Sequence, residues 1–309
     1  MTVYIFPLLL ILLASATSEA FEMDKLKQNL ILTVKYLSHD IGQRSYLDVE
    51  KLNRTADYIE DRFRSCGCNV KKQPFKYQGN IYYNIICEIK GTKESKDGIL
   101  VIGAHYDTVT GTPGADDNAS GIAGLIELAR LTVSKPLQRT VRFVAFTLEE
   151  PPIFMTKHMG SYIYAKSLKN EGIKVYGMIS LEMLGYYSNR KGSQYYPFPI
   201  FKWFYPDKGN FIAFVGNISS RSFTQKVKKS FKAVSSLPVE SLNGVSLIPG
   251  VNFSDHWSFW EFGFPAFMIT DTAFYRNPNY HAPGDTAETL DYDRMTEFIT
   301  GLYKALGSL

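Results

Sequence analysis

The sequence predicts an α/β protein built on one sheet that helices cover on both faces. Four apolar runs have the length and composition of buried strands, and they span residues 99–102, 140–147, 175–181 and 265–270. A further strand is expected at 210–215. Apolar residues recur at helical spacing in residues 26–37, 48–63, 122–131 and 292–306. Strands and helices therefore occur along the whole chain.

The length and composition fit a single domain over residues 21–309. Hydrophobic residues make up 45% and aromatic residues 14% of the 309 residues, which is ample for one core. We find no Gly/Ser-rich linker, no low-complexity segment and no internal repeat, so no second domain is expected.

Residues 1–20 are predicted to be a signal peptide. An apolar run at 4–16 is followed by small residues that end at Ala20, before Phe21. Thirteen apolar residues are too few to span a bilayer, which takes about 20. The segment before the run lacks Lys and Arg, so an uncleaved anchor remains an alternative. We expect a secreted or periplasmic protein with no stable membrane insertion after cleavage.

Each of the four central strands is followed by His, Asp or Glu, the residue types that bind metals. Carboxyl ends of parallel strands meet at one edge of a sheet, where open α/β sheets place their ligands. Imidazole and carboxylate groups together suit zinc. The candidates are His105, Asp107 and Asp117 after the first strand, Glu149 and Glu150 after the second, Glu182 after the third and His281 after the fourth.

Five segments of the chain together resemble the co-catalytic zinc aminopeptidases of the M28 peptidase class, including secreted bacterial leucyl aminopeptidases. They are GAHYD, PGADDNASG, the Glu-Glu pair, SLEM and PNYHAPGDT. The resemblance covers nearly all of the chain after residue 20. It implies a three-layer α/β/α fold with a central mixed, mostly parallel sheet, the zinc exopeptidase fold. It also implies hydrolysis of N-terminal residues from peptide substrates.

The resemblance implies two zinc ions per chain. His105 and Glu182 would hold one, Glu150 and His281 the other, and Asp117 would bridge them. Many relatives have Asp at the position of Glu182, which is one methylene longer.

The bridging role falls on Asp117 rather than Asp116, because the family's bridging carboxylate stands three residues before a Ser-Gly pair. Asp107 resembles the carboxylate that orients a metal-binding histidine, here His105. Glu149, beside the ligand Glu150, is expected to be the general base, since two metals still need a nearby group to move a proton.

Tyr280 resembles the family's oxyanion-stabilising tyrosine, with a packed aromatic residue as the alternative. Residues 151–161 form an insertion beside the site, which we expect to shape the substrate pocket. Tyr and Phe side chains near the site favour an apolar pocket. They are Tyr186, Tyr187, Phe274 and Tyr275.

Three other histidines are expected to be structural. His256 is the strongest rival ligand, but Ser254 or Asp255 before it is expected to cap an aromatic helix. His39 and His158 lack ligand partners at suitable spacing.

Three cysteines leave the disulfide pattern open. Strands at 69–77 and 82–90 are expected to form a hairpin that turns at Gly79. One of Cys66 and Cys68 could then approach Cys87, and three reduced thiols are the alternative.

Charge does not indicate a nucleic-acid partner. The formal net charge is +4, and the basic run 226–232 contains one aromatic residue, so a solvated helix face explains it best. The sequence makes no prediction of oligomeric state.

Three alternatives to an aminopeptidase remain. A glutaminyl cyclase-like acyltransferase of the same fold would use one zinc, and a non-catalytic binding ectodomain would lack ligands. A carboxypeptidase would need a cation to hold the substrate carboxylate, whereas Lys157 and Arg276 are expected to be solvated.

Overall fold

A computed structural model of the chain describes the backbone of residues 5–309 and the side chains from Ala20 onward. The helices are α1 (Ile5–Lys35), α2 (Val49–Ser65), α3 (Gly121–Ser134), α4 (Gly160–Asn170), α5 (Arg221–Lys232), α6 (His256–Trp260) and α7 (Tyr292–Leu306). The strands are β1 (Asn69–Tyr77), β2 (Asn80–Ile89), β3 (Ile99–His105), β4 (Val141–Phe146), β5 (Val175–Glu182), β6 (Ile212–Asn217), β7 (Val239–Gly244) and β8 (Ala266–Thr270).

The eight strands form one mixed sheet in the order β1-β2-β4-β3-β5-β8-β6-β7. The central strands β4, β3, β5 and β8 run parallel to one another. Strand β2 is antiparallel to β4, and β6 is antiparallel to β8. The predicted α/β class with a mixed, mostly parallel central sheet is confirmed.

Apolar residues pack against both faces of this sheet. Leu100 and Ile102 of β3 belong to a large core that also contains residues of α1, α2, α3, α5 and α7. Val101, between them in sequence, points to a second core formed with α4 and α6. Alternate residues of one strand are thus buried on opposite faces, which gives a continuous apolar run and three layers.

Aspartate side chains cap the N-terminal ends of two helices. The Asp48 side chain accepts a hydrogen bond from the backbone N–H of Lys51 at the start of α2. Asp291 accepts one from the N–H of Arg294 at the start of α7, which has the predicted bounds 292–306.

Strand β7 was not predicted, because polar residues within it obscure the alternation of apolar and polar side chains. The strand expected at 210–215 corresponds to β6, which begins and ends two residues later. The helix expected at 26–37 is the end of α1. Of the predicted signal peptide, Met1 to Tyr4 lie outside the described residues, and the backbone from Ile5 is part of α1. Within the described part of the chain, no helix is long and apolar enough to cross a membrane.

The hairpin predicted near Gly79 joins β1 and β2. Gln78 and Gly79 both have positive φ values, 47° and 83°, as a two-residue hairpin turn requires. Val70 pairs with Cys87 across the hairpin, which brings Cys68 within a Cα–Cα distance of 5.5 Å of Cys87. These two cysteines form a disulfide and Cys66 is free, which resolves the pairing that the sequence left open.

Arg44 fixes the loop that follows β3. Its guanidinium is fully buried and donates five hydrogen bonds to backbone carbonyls. Burial lowers its pKa to about 10 while nearby carboxylates oppose the shift, so it stays charged at neutral pH. The acceptors are the carbonyls of Leu37, Gly42, Tyr106, Pro113 and Gly114, at 2.7–2.9 Å. The N-terminal region thereby holds the loop in place.

Replacing Arg44 by Met is expected to lower the free energy of unfolding by about 3 kcal/mol, because buried carbonyls lose their donors. Denaturant unfolding followed by circular dichroism measures this. Arg54→Met, at an exposed position of α2, is the control and should change stability by less than about 0.5 kcal/mol. Equal effects of the two substitutions would show that Arg44 does not anchor the loop.

Candidate metal centre

Two groups of mostly buried ligand atoms that share Asp117 lie side by side at the carboxyl edge of the sheet. In the first, His105 Nε2 lies 3.3 Å from Asp117 Oδ1 and 3.3 Å from Glu182 Oε2. In the second, His281 Nε2 lies 3.1 Å from Asp117 Oδ2 and 3.3 Å from Glu150 Oε2. The structure thus brings together all five predicted ligands, in the two predicted sets.

These spacings fit zinc. Ligand atoms bound tetrahedrally at about 2.0–2.1 Å from one ion lie about 3.3–3.4 Å apart. In addition, Glu150 Oε1 is buried and has no hydrogen-bond partner, so this oxygen is free to bind a cation. The donor set, its spacing and this oxygen all suit a metal.

Strand order explains why the ligands meet. His105 is the last residue of β3 and Glu182 the last residue of β5, and these two strands are neighbours. Glu150 follows β4, on the other side of β3, and His281 follows β8, on the other side of β5. Four adjacent parallel strands therefore deliver their ligands to one point.

Asp117 lies between the two groups, with one oxygen toward each histidine. Asp116 points elsewhere, because its carboxylate accepts hydrogen bonds from the N–H of Gly185 and the side chain of Asn277. This geometry supports Asp117 over Asp116 as the residue shared by both groups.

Asp285, which the sequence reasoning did not single out, holds the Asp117 backbone. Its two carboxylate oxygens accept the N–H groups of Asp116 and Asp117 at 2.8 and 3.1 Å. Asn118 ties the same loop to the end of β5 by donating to the Leu181 carbonyl. The sequence feature that points to Asp285 is its place in the PNYHAPGDT segment, four residues after His281.

Gly114 enters this loop with a φ of 65°. A Cβ atom there would collide with the Thr108 side chain and the Asp117 carbonyl. Glycine is therefore required for both conformation and space.

Asp107 has a different geometry from the one expected. His105 Nδ1 lies 3.2 Å from the backbone carbonyl of Asp107 and 3.6 Å from its carboxylate. The carboxylate instead accepts the backbone N–H groups of Glu149 and Glu150. The backbone of Asp107 thus orients His105, while its side chain positions the Glu-Glu turn.

Burial dominates the electrostatics of the Glu-Glu pair. Burial, followed by the charge of Asp117, raises the pKa of Glu150 to about 8. Burial also raises the pKa of Glu149 well above its usual range, although His105 opposes the shift. Glu149 Oε2 is 3.9 Å from His105 Nε2, close to the first group but farther than the ligand atoms. Without a cation, the pocket resists full ionisation of its carboxylates.

In His281, the histidine of the second group, the surroundings favour the charged form of the side chain. Burial lowers the pKa of His281, but contacts with Asp117 and Glu150 outweigh it and raise the value to about 10. The ring of Tyr280 stacks on His281 with centroids 3.7 Å apart, and burial raises the Tyr280 pKa. Tyr280 therefore packs against the His281 ring at the edge of the centre.

Residues 254–256, Ser-Asp-His, contact the centre but do not belong to either ligand group. Ser254 Oγ donates to Glu182 Oε2 at 2.7 Å. The predicted cap is wrong, because Asp255 precedes α6 in a helical conformation and makes no capping hydrogen bond. His256 bonds the Val251 carbonyl through Nε2, and burial lowers its pKa to about 4. His256 is structural, as expected.

An apolar cavity opens beside the centre. Glu182 and Tyr280 form the side of the cavity nearest the ligands, and Phe274 and Tyr275 also line it, as expected. Tyr186 and Tyr187 are not among the lining residues. The other aromatic walls are Tyr195, Tyr196, Phe201, Tyr205, Phe211 and Phe253.

The insertion predicted at 151–161, whose last two residues belong to α4, contacts this cavity indirectly. Phe154 packs edge to face against Phe253, with ring centroids 5.8 Å apart. Phe253 in turn lines the cavity. The insertion therefore supports one wall of the cavity.

The remaining predicted residues lie away from the ligand groups. His39 and His158 are exposed, and their side chains contact Asp40 and the Tyr77 ring. Lys157 is solvated as expected. The prediction for Arg276 is wrong, because it is 5% exposed and donates to Gln194 and the Phe211 carbonyl. The basic run 226–232 lies on α5, which buries Phe231 on its inner face.

Comparison with known sequences places this site in a family. The profile of Peptidase family M28 matches residues 84–305. The chain is 44% identical to the uncharacterized protein YfbL of Escherichia coli strain K12, over 90% of this chain and 87% of that protein. It is 29% identical to a probable leucine aminopeptidase of Arthroderma otae, over 75% of this chain, and spans 57% of that relative's length.

Solved structures agree in fold. BSAP, a zinc aminopeptidase from Bacillus subtilis, superposes with a TM-score of 0.70 at 16% identity, covering 91% of this chain and 94% of that chain. The profile match extends over well more than half of the residues and includes all five candidate ligand positions. The chain belongs to peptidase family M28.

Proposed function

We propose that this protein is an aminopeptidase that uses two zinc ions to remove N-terminal residues from peptides. The observation that carries the proposal is the pair of His–carboxylate groups that share Asp117, with Glu149 beside them. A zinc pair held there would act as a Lewis acid on the scissile carbonyl and lower the pKa of water toward about 7.

Glu149 moves the proton in this proposal. Its carboxylate takes a proton from the attacking water as the water oxygen adds to the carbonyl carbon. It then delivers that proton to the amine nitrogen as the C–N bond breaks. Its position suits this role, because Oε2 lies 3.9 Å from His105 Nε2, beside the first group but farther from it than the ligand atoms.

The charges around the centre favour a substrate with a free α-amine. Glu149 offers a carboxylate close to the two groups, and Glu182 offers one within the first group. A C-terminal carboxylate would need a cationic side chain, and Lys157 and Arg276 are the two candidates. Lys157 is exposed, and Arg276 donates its hydrogen bonds to Gln194 and the Phe211 carbonyl. An ammonium group near two metal ions needs carboxylates for compensation, and this site supplies them.

We also infer export through the predicted signal peptide at residues 1–20. The Cys68–Cys87 disulfide supports an oxidising compartment such as the periplasm or the exterior.

Purified protein is expected to contain about two zinc ions per chain by atomic emission. Asp117→Ala should lower occupancy at both sites, whereas Glu182→Ala should empty one site, because Glu182 belongs to one group only. Glu94→Ala, at an exposed acidic position, is the control and should retain both ions. One ion in the unmodified protein would favour a cyclase, and none would favour a binding module.

The Glu149→Gln variant should keep both metals but lose at least about 10²-fold in turnover, since a general base contributes that much or more. The matched variant Glu150→Gln should lose metal. Turnover on an aminoacyl anilide and metal content are measured on the same samples. Loss of zinc in Glu149→Gln alone would mean that the two roles are exchanged.

Blocking each end of a substrate identifies the end that is recognised. An unmodified aminoacyl anilide should be hydrolysed and its N-acetyl form should not, because acetylation removes the ammonium charge. C-terminal amidation of a peptide should have little effect. The reverse pattern, with amidation abolishing cleavage and acetylation tolerated, would indicate a carboxypeptidase.

A further inference from the structure

Between β5 and β6 the chain forms a lobe, residues 188–209, that returns to its starting point. The Ser188 N–H donates to the Gly209 carbonyl at 2.8 Å, and the Gln194 N–H donates to the Asp207 carbonyl at 3.2 Å. The Gly209 N–H also donates to Ser193 Oγ at 2.9 Å. The base of the lobe is thus closed by hydrogen bonds.

Aromatic rings on the inner side hold the lobe together. Tyr196 stacks on Tyr205 with centroids 5.8 Å apart, and Phe201 meets Tyr205 at 5.9 Å. The Tyr196 hydroxyl donates to the Pro206 carbonyl. These three rings are half-buried and also line the apolar cavity, so their position has a structural reason.

The outer side of the lobe is apolar without being buried. The exposed fractions are 46% for Phe198, 52% for Ile200, 81% for Trp203 and 73% for Phe204. All four flank Phe201 on or beside one short 3₁₀ turn, Pro199–Trp203. Apolar side chains clustered at the surface mark an interaction site more often than those scattered singly.

The lobe that carries this apolar cluster has a net positive charge. The lobe carries four basic residues, all exposed, and one acidic residue, Asp207. Lys202 lies directly between Phe201 and Trp203 in sequence. The basic residues are Arg190, Lys191, Lys202 and Lys208.

We propose that the outer side of the lobe adsorbs to the surface of an anionic phospholipid bilayer. Trp203 and Phe204 would enter the headgroup region, where aromatic side chains partition well. The four cations would lie against the anionic headgroups, which attract basic residues near the surface. This is adsorption, distinct from the spanning of a membrane, and it does not depend on the proposed peptidase activity.

The combination of side chains favours lipid over a protein partner. Protein interfaces are enriched in aromatic residues, but their buried cores are depleted of lysine. Here Lys202 adjoins the most exposed ring, Trp203. Tryptophan and basic side chains are instead the anchors found together at membrane–water interfaces.

The test compares variants of the full chain on vesicles. Wild-type protein should co-sediment with phosphatidylglycerol/phosphatidylcholine vesicles, and its tryptophan emission should shift to shorter wavelength. Trp203→Ser/Phe204→Ser should reduce the bound fraction at least about tenfold, and Lys202→Glu/Lys208→Glu should do the same. Every variant retains residues 1–20, so any lipid affinity of that segment is common to all.

Ile218→Ser/Val234→Ser is the matched control. These positions are 61% and 44% exposed. Ile218 follows the carboxyl end of β6, which is antiparallel to β8, so it lies at the opposite end of the sheet from the metal centre. The control should bind vesicles as wild type does. Hydrolysis of a soluble aminoacyl anilide should be unchanged in all variants, which separates this proposal from the proposed function.

Three results would overturn the proposal. Binding to pure phosphatidylcholine vesicles that equals binding to anionic vesicles would remove the role of charge. Equal binding by wild type and both lobe variants would show that other residues contact the lipid. Loss of a dimer in the Trp203→Ser/Phe204→Ser variant by light scattering, without vesicle binding by wild type, would identify the lobe as a contact between two copies of the chain.

Discussion

The burial of several carboxylates at one point constrains the rest of this structure. Asp117, Glu149, Glu150 and Glu182 are each at most 6% exposed. Unpaired buried carboxylates cost several kcal/mol each, and His105 and His281 can neutralise only part of this charge. Bound cations would therefore neutralise the remaining negative charge, and the spacing of the ligand atoms suits two of them.

The surrounding structure holds these charges in place from several directions. Arg44 anchors the loop after β3 through backbone carbonyls, and Asp285 holds the backbone of Asp117 from the other side. Asp107 binds the backbone of the Glu-Glu turn. Three separate parts of the chain thus contribute to one rigid site, as a metal centre with defined geometry requires.

The sequence predicted that the candidate ligand side chains would meet, because His105 and Glu182 end apolar strands and strand ends converge in parallel sheets. It could not predict contacts that depend on tertiary placement. Asp285 reaches Asp117 from 168 residues away, and Arg276 is buried by packing that its neighbours in sequence do not indicate. The exchange of roles between the backbone and the side chain of Asp107 likewise depends on a turn after a different strand.

The central claim is that Asp117 joins two metal sites, and anomalous diffraction at the zinc absorption edge tests it most directly. Crystals of the zinc-loaded protein should show two peaks about 3.5–4 Å apart, each within bonding distance of one Asp117 oxygen. One peak should also contact His105 and Glu182, and the other Glu150 and His281. A single peak, or two peaks of which only one contacts Asp117, would contradict the account.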